Sequence, residues 1–372
     1  MSSVSVRRAI TARDIAKFHR FPWSIYRDDP LWVPPLLHDV KRRLDPRVNP
    51  FFDHAVAELY IAERDGRPVG RIAAILDRRH QEHHKDHTGF FGWFECENDA
   101  GTALLLFATV AERLKAMGCD RMRGPVQSSL NEECGLQVLG FDRSPVLMMP
   151  HNPPWYADLF AAAGLEKAMD LLSFDLPVKD FAAERISRVV DMVKRREKVT
   201  VRNFNMKEFP AELERLKAVY NDAWVANWGF VPLTDAELEH MAGDLKPIIR
   251  PELAAFVECN GRPVGFSLVL PNLNDIIKTL NGRLFPFGFL KILFGVKKIR
   301  GVRLVAMGVH RDWQHRGLDA ALYLDNFQAC RRLGIDWSDV GWVLETNTVM
   351  INTIKKIGGV HYKTHRIFEK PV

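Results

Sequence analysis

The chain has 372 residues, 47% of them hydrophobic and 26% charged, with a net charge of +6 and a pI near 9.0. That length holds two ordinary domains, and that composition is globular, which excludes a disordered or fibrous chain. The mild basic excess suits a phosphorylated ligand or an anionic surface, and without a dense Lys/Arg block or an aromatic-basic RNA motif no nucleic-acid partner is expected.

The opening stretch, MSSVSVRRAITARDIAKFHRF, carries charge and no apolar run of signal-peptide length. No later stretch approaches the roughly 20 apolar residues of a membrane span. Cys96, Cys119, Cys134, Cys259 and Cys330 form no CxxC pair, so neither a disulfide framework nor a zinc site is signalled. A cytoplasmic location is expected. AELYIAE, Asp65-Gly66 and RIAAIL read as strand, tight turn and strand. His80, His83, His84 and His87 follow in a stretch that reads as a charged loop, which carries no expectation of a metal. FECENDAG at 94–101 is acidic and precedes an amphipathic helix at 103–117, closed by Gly118. Residues 124–141 read as an insertion; its SSLNEECG stretch is expected to cover a cleft or line an acceptor pocket. Cys134 there is a poor nucleophile beside Glu132 and Glu133. A short helix closed by Gly164 leads into the strand LEKAMDLLSFDL. Residues 178–198 read as a charged helical linker.

In the second half, Tyr220, Asn221, Trp224, Asn227, Trp228 and Phe230 combine aromatic rings with amides. They suit an acceptor pocket and equally a tryptophan-rich interdomain contact. LAAFVE, Asn260-Gly261 and FSLVL read as a second hairpin. Residues 273–301 then interleave phenylalanines and leucines with Lys291, Lys297, Lys298 and Arg300. Such a pattern suits an interfacial segment, the mouth of an acyl-chain tunnel or a packed interdomain helix. VRLVAMGV at 302–309 reads as a buried strand, His310 to Gly317 as a basic glycine loop, and 318–333 as a helix closed by Gly334. The strand WVLETN at 342–347 and a helix closed by Gly358 come before a final strand.

The two halves repeat. ERDGRPVG at 63–70 recurs as ECNGRPVG at 258–265, so Gly66 and Gly261 lie 195 positions apart. Gly164 and Gly358, each closing a helix before a strand, are 194 apart. Two landmarks at nearly one offset indicate tandem copies.

The loop Gln314-His315-Arg316-Gly317 before Leu318 carries the sharpest chemistry. Unpaired N–H groups at a glycine loop and helix start make an anion site suited to a pyrophosphate. The same residues also suit a solvated basic turn. In context, the segment resembles the GNAT superfamily of N-acyltransferases, whose cofactor loop reads Gln/Arg-x-x-Gly-x-Gly/Ala; Asp319 stands where the family has a small residue. The wider pattern resembles a bacterial tandem-GNAT group that includes the bacterial ceramide synthases.

The resemblance implies an α+β fold of two tandem GNAT-like domains, each a mixed, mostly antiparallel sheet flanked by helices. The expected spans are a degenerate 1–177, a linker at 178–198 and a cofactor-binding 199–372. The implied reaction moves an acyl group from acyl-CoA to a primary amine, in the finer reading a long acyl chain to a sphingoid amine. No metal is implied. Met307, Gly308, Val309, Gln314, His315, Arg316, Gly317, Leu318 and Asn347 are the expected cofactor residues, and Tyr220, Asn221, Trp224, Asn227, Trp228 and Phe230 the acceptor residues. Glu345 or His310 is the expected base. The family's acid, a tyrosine, falls on Ile354, which has no proton to give, and Tyr362 is the substitute. Residues 284–300 are the expected membrane contact. Two other readings fit the same pattern: a non-catalytic tandem-GNAT binding protein and an aminoacyl-tRNA-dependent peptidyl transferase.

Overall fold

The computed structural model describes Ser3–Val372. Its strands are β1 (Val4–Arg8), β2 (Ala55–Arg64), β3 (Arg67–Asp77), β4 (Thr88–Cys96), β5 (Arg121–Gln127), β6 (Ser129–Cys134), β7 (Leu136–Leu139), β8 (Glu166–Pro177), β9 (Val199–Asn203), β10 (Ala254–Cys259), β11 (Arg262–Pro271), β12 (Gly301–Val309), β13 (Trp337–Leu344) and β14 (Val360–Pro371). The helices used below are α1 (Ala12–Arg20), α2 (Arg78–His84), α3 (Ala100–Ala116), α4 (Tyr156–Ala162), α5 (Ala183–Glu197), α6 (Phe209–Trp224), α7 (Asp235–Leu245), α8 (Gly288–Gly295), α9 (Leu318–Leu333) and α10 (Thr348–Lys356).

Two compact units form, and they do not simply follow chain order. One holds the chain up to Leu171, with Ile276–Phe289 and Lys363–Val372; the other holds Leu172–Asp275 and Leu290–Tyr362. Strand β8 passes from the first unit to the second at Leu172, and β14 passes back at Lys363. In the first unit the strands run β1-β2-β3-β4-β5-β14, with β6 on β5 and β7 on β14. In the second they run β8-β13-β12-β11-β10-β9.

Local geometry repeats along with the sequence. Asp65 and Gly66 have φ of 51° and 76°, and Asn260 and Gly261 have 50° and 76°. Both central residues are left-handed, which a two-residue hairpin requires and which glycine permits without strain. Each hairpin shifts register at the same place, between Ala62 and Glu63 and between Val257 and Glu258. A further repeat then emerges, with its arginine and strand glutamate at the same offset of 195 and its helix acid at 198. Arg7 on β1 pairs with Glu63 at 2.8 Å and Asp14 at 2.7 Å. Arg202 on β9 pairs with Glu258 at 2.8 Å and Glu212 at 2.9 Å.

The cores differ in character. The first unit buries an aromatic cluster on the α3 side of its sheet. Phe94 stacks on Phe107 at 4.9 Å, and Phe160 meets both edge-on. The second unit buries aliphatic side chains between its sheet and the helices α9 and α5, with Val190 and Val193 of α5 in that core. The 178–198 stretch therefore packs as part of the second unit. The histidine-rich stretch is a helix, α2, rather than a loop. Asp77 caps it by accepting from the N–H groups of Arg79 and His80, and His80 is buried against Phe90. Burial pushes the His80 imidazole down to about 4.

Candidate active site

Strands β12 and β13 pair in parallel only from Gly301↔Trp337 to Leu304↔Val340. Beyond Leu304, β12 runs on to Val309 and β13 to Leu344 without pairing to each other. A register shift of β12 against β11 falls at the same level, where Leu268 and Val269 face Ala306 and Leu304. The bulge bends β12 away from its neighbour. The result is an opening between two strand ends, with Met307, Gly308 and Val309 on one side.

The basic loop follows at once. Val309 carbonyl accepts from the Gln314 side-chain amide at 3.1 Å, so Gln314 ties the loop back to the strand. His315 is left-handed at φ 61°, and Gly317, the N-cap of α9, is left-handed at φ 84°. A Cβ at Gly317 would stand 3.1 Å from Val193 of α5. The N–H groups of His315, Arg316, Gly317 and Leu318 have no hydrogen-bond partner among the described residues. Four consecutive free donors at a helix start form an anion cradle.

Helix α5 braces this cradle. Arg196 donates to the Arg316 carbonyl at 2.8 Å, and Arg316 pairs with Glu197 at 3.2 Å while lying 4.9 Å over the Trp313 ring. Asp319 sits in the first turn of α9. Burial raises its carboxyl above the usual range, while the N–H groups of Ala320 and of Asp319 itself pull it back. The helix start is thus partly filled by the chain's own acid.

At the mouth of the opening, His310 Nδ1 lies 3.3 Å from Asp222 Oδ2. Asp222 also accepts from the Arg311 backbone N–H at 2.7 Å and from Arg311 Nε at 3.1 Å. Burial would raise the Asp222 carboxyl, but these bonds and the charge of His310 hold it below the usual range. His310 Nδ1 also lies 3.4 Å from the Asp312 N–H, which it accepts in the opposite tautomer. Only the Asp312 contact has hydrogen-bond geometry, whereas the Asp222 carboxylate makes an ion-pair approach that favours the tautomer with the proton on Nδ1. Nε2 is then left as an acceptor.

Helix α6 places the expected acceptor residues beside β12. A Cβ at Gly308 would meet Ala223 at 3.0 Å and Trp224 Nε1 at 3.5 Å. Tyr220 and Trp224 approach to 4.2 Å, and Phe230 lies 5.6 Å from Tyr220. Asn221 Oδ1 is buried without a partner, a polar atom suited to a donor from a ligand. Asn227 donates its backbone N–H to the Trp224 carbonyl and accepts from Phe230, which closes the turn; Trp228 is half-buried in that turn.

The remaining residues take other places. Glu345 is half-buried in the turn after β13. Asn347 caps α10, its side-chain oxygen accepting from Met350 N–H at 3.1 Å. Tyr362 donates to Asp339 at 2.8 Å, and Asp339 lies 3.6 Å from Arg303. Burial, then Asp339, push the Tyr362 phenol well above the usual range. A phenol so placed is a weak acid whose proton is already committed, which argues against the acid role assigned to it from sequence. Ile354 is fully buried. The sequence pattern named Tyr220, Asn221 and Trp224 around Asp222 but missed Asp222 itself, and missed Arg196 and Glu197. The six cations against three acids of 183–198 were the only sign that this helix had work beyond linking.

The first unit lacks the equivalent opening. Its β4 and β5 stay paired in parallel from Thr88↔Arg121 to Gly92↔Val126. They lie so close that a Cβ at Gly92 would stand 1.6 Å from the Val126 carbonyl oxygen. At the start of α3, Asp99 accepts from Gly101 N–H and Thr102 hydroxyl and pairs with Arg64. The helix terminus that holds free donors in the second unit is here capped by a carboxylate.

No family model matches the chain. Protein YghO of Escherichia coli (strain K12) is 36% identical over 374 residues, 99% of this chain and 95% of its own. The bacterial ceramide synthase of Caulobacter vibrioides (strain NA1000 / CB15N) is 35% identical over 382 residues, 99% of this chain and 98% of its own. The chain belongs to the family of this bacterial ceramide synthase. Solved structures agree on the fold. A tandem GNAT protein from the clavulanic acid biosynthesis pathway aligns with a TM-score of 0.58 at 12% identity, over 99% of this chain and 98% of its own. A GCN5-related N-acetyltransferase from Sphaerobacter thermophilus aligns with a TM-score of 0.53 at 14% identity, over 99% and 95%. The protein is accordingly an acyltransferase of tandem GNAT fold, acting on groups other than aminoacyl.

Proposed function

We propose that the second unit transfers a long-chain acyl group from acyl-CoA to a lipid-like primary amine of the sphingoid class. The observation that carries this reading is the juxtaposition of the strand opening with the four free N–H donors of His315 to Leu318. An acyl thioester threads between strand ends, a phosphate of its carrier meets the cradle, and its carbonyl lies against the backbone of Met307, Gly308 and Val309, whose N–H groups stabilise the developing oxyanion. Gln314, Arg316 and Asn347 position the loop and the strand ends around it.

The amine nitrogen attacks the thioester carbonyl. A carbon–nitrogen bond forms and the carbon–sulfur bond breaks. His310, oriented by Asp222, takes the amine proton on Nε2 and returns it to the leaving thiolate. This route needs no separate acid, which suits a chain with Ile354 in the family's tyrosine position and Tyr362 bound to Asp339. The α6 face of Tyr220, Asn221, Trp224 and Phe230, with Asn227 and Trp228 in the turn beyond, receives the amine. Glu345 is the second candidate base and serves as a control below.

A lipid-like acceptor is supported by the relative named a ceramide synthase and by the insertion before β12. Phe285, Phe287, Leu293 and Phe294 are 64–72% exposed along it, and Lys291, Lys297 and Lys298 flank them. Exposed rings beside cations suit a peripheral contact with an anionic bilayer. No helix among the described residues is long and apolar enough to cross a membrane.

The test is turnover with palmitoyl-CoA and a sphingoid base, with the N-acyl amide read by mass spectrometry. The amide is expected, with Arg316→Glu abolishing it. A protein that gives no amide and no thermal shift with acyl-CoA of any chain length overturns the reading.

A further inference from the structure

The brace helix α5 has an outer face that the reaction above does not use. Over 183–198 the chain carries six cations and three acids. Arg185, Arg188, Met192 and Arg195 fall at helical spacing i, i+3, i+7 and i+10, so they share one face, and all four are exposed. At the N-terminal end of this row lies a groove of about 1150 Å³ lined by Lys179, Arg188 and Arg331, with Phe181 and Phe327 among its walls. Those two rings stack at 4.3 Å. At its C-terminal end, the helix joins the phosphate cradle through Arg196 and Glu197. From Arg188 to Arg196 is eight residues, roughly 12 Å along the axis. A basic row thus runs from an aromatic-walled groove into the loop that holds the thioester's phosphate.

The cradle itself is short. Four N–H groups are free, and the Asp319 carboxylate engages the next two, those of Asp319 and Ala320. Coenzyme A brings a diphosphate and a further phosphate to such a loop, and the second phosphate meets an acid. A phosphopantetheine arm attached to a protein brings one phosphodiester and, around it, the acidic surface of its carrier.

We infer that the preferred acyl donor is an acidic carrier protein bearing the acyl chain on phosphopantetheine, docked along Arg185, Arg188 and Arg195 with its arm entering past Gly317. The inference rests on the acyl-transfer reading and changes only the carrier. The balance is unchanged: amine plus acyl thioester gives amide plus the carrier's free thiol, with the amine proton ending on sulfur. A lipid surface is the poorer occupant, because this row exposes one apolar side chain, Met192, whereas the phenylalanine-rich insertion exposes several. Glu184 and Asp191, interleaved with the arginines, oppose nucleic acid and suit hydrogen-bonded ion pairs with a protein.

The experiment compares a palmitoyl-loaded bacterial acyl carrier protein with palmitoyl-CoA, and measures direct binding of the holo carrier protein by fluorescence anisotropy. The carrier-bound donor is expected to have at least a 10-fold higher kcat/KM. The double variant R188E/R195E is expected to lower carrier turnover and carrier binding by 10-fold or more while leaving palmitoyl-CoA turnover within 2-fold. D319N is expected to raise palmitoyl-CoA turnover more than carrier turnover. Equal or better use of palmitoyl-CoA with no effect of R188E/R195E on carrier binding overturns the inference. So does loss of binding to anionic phosphatidylglycerol vesicles in R188E/R195E without any carrier binding. Carrier binding sensitive to R188E/R195E, with no turnover from either donor, supports the docking surface and overturns the acyl-transfer reading instead.

Discussion

Replacing Asp222 with asparagine tests whether His310 is the base. The side chain keeps its shape and still accepts from the Arg311 N–H, so the change is chiefly one of charge beside the imidazole. At the observed 3.3 Å, two unit charges interact by about 1.3 kcal/mol in water and about 5 kcal/mol at an effective dielectric of about 20. Both side chains retain slightly under a fifth of their exposure, 19% and 18%, so the interaction lies between those limits. About 2 kcal/mol is the expected loss when the imidazolium forms in the transition state, or about 30-fold in kcat. The binding of the thioester does not involve this pair, so its KM is expected to stay within about 2-fold, and the melting temperature within a few degrees because the site is at the rim. Steady-state kinetics with a thiol-detecting reagent, beside a thermal melt, give all three quantities. An Asp222→Asn enzyme with unchanged kcat refutes the His310 assignment. Glu345→Gln then becomes the decisive variant, and a loss of turnover there with intact donor binding transfers the base to Glu345.

Three further outcomes are expected. Gly317→Ala places a side chain at φ 84° and 3.1 Å from Val193. The left-handed conformation alone costs about 1–2 kcal/mol, so donor affinity by isothermal titration should fall about 10-fold, and unchanged affinity would show that the loop does not hold the phosphate. Tyr362→Phe removes the hydroxyl bonded to buried Asp339, which should cost about 1.5–3 kcal/mol of stability in denaturant unfolding while leaving kcat within about 3-fold. A collapse of kcat with intact stability would restore Tyr362 as the acid. Glu63 is held down to about 2 by its hydrogen bonds to Arg7 and then Lys17. Its folded value lies below the ordinary 4.5, so its contribution is complete above that pH and is lost as pH falls toward 2. Glu63→Gln should therefore flatten the decline of melting temperature between pH 5 and pH 3, and an identical slope in both proteins would contradict the pairing of Glu63 with Arg7 and Lys17.

Much of the architecture was legible because it rests on local rules. Asp65-Gly66 and Asn260-Gly261 announce their turns by residue type, and a repeat at one offset needs no structure to be seen. The same offset links VSVRR to VTVRN and so Arg7 to Arg202, a match that short strands with few identities concealed. The glycine loop was legible because Gly317 and its neighbours are contiguous. What stayed hidden depends on contacts between distant segments. The pairing of Asp222 with His310 joins the end of α6 to the end of β12, 88 positions away. The bracing of Arg316 by Arg196 and Glu197 joins segments about 120 positions apart. The passage of β8 and β14 from one unit to the other leaves no trace in hydropathy, since a buried strand reads alike in either sheet.

The two units also explain each other. Each begins its long helix with an aspartate close by, yet the position of that acid decides what the terminus does. Asp99 is the N-cap of α3 and accepts from Gly101 and Thr102, so the positive end of the helix is satisfied before any ligand arrives. Asp319 lies two residues past its N-cap, Gly317, and reaches only the N–H groups of its own first turn. The donors ahead of it, from His315 to Leu318, stay free. The shift leaves donors free in one unit and capped in the other, and the strands follow suit, apart beyond Leu304 and paired through Gly92. Moving an acid into the second unit's cap position is therefore the sharper test of the cradle. Gly317→Asp should convert its terminus to the first unit's state and abolish donor binding, while Asp319→Asn should strengthen it. Binding that survives Gly317→Asp would show that the phosphate sits elsewhere.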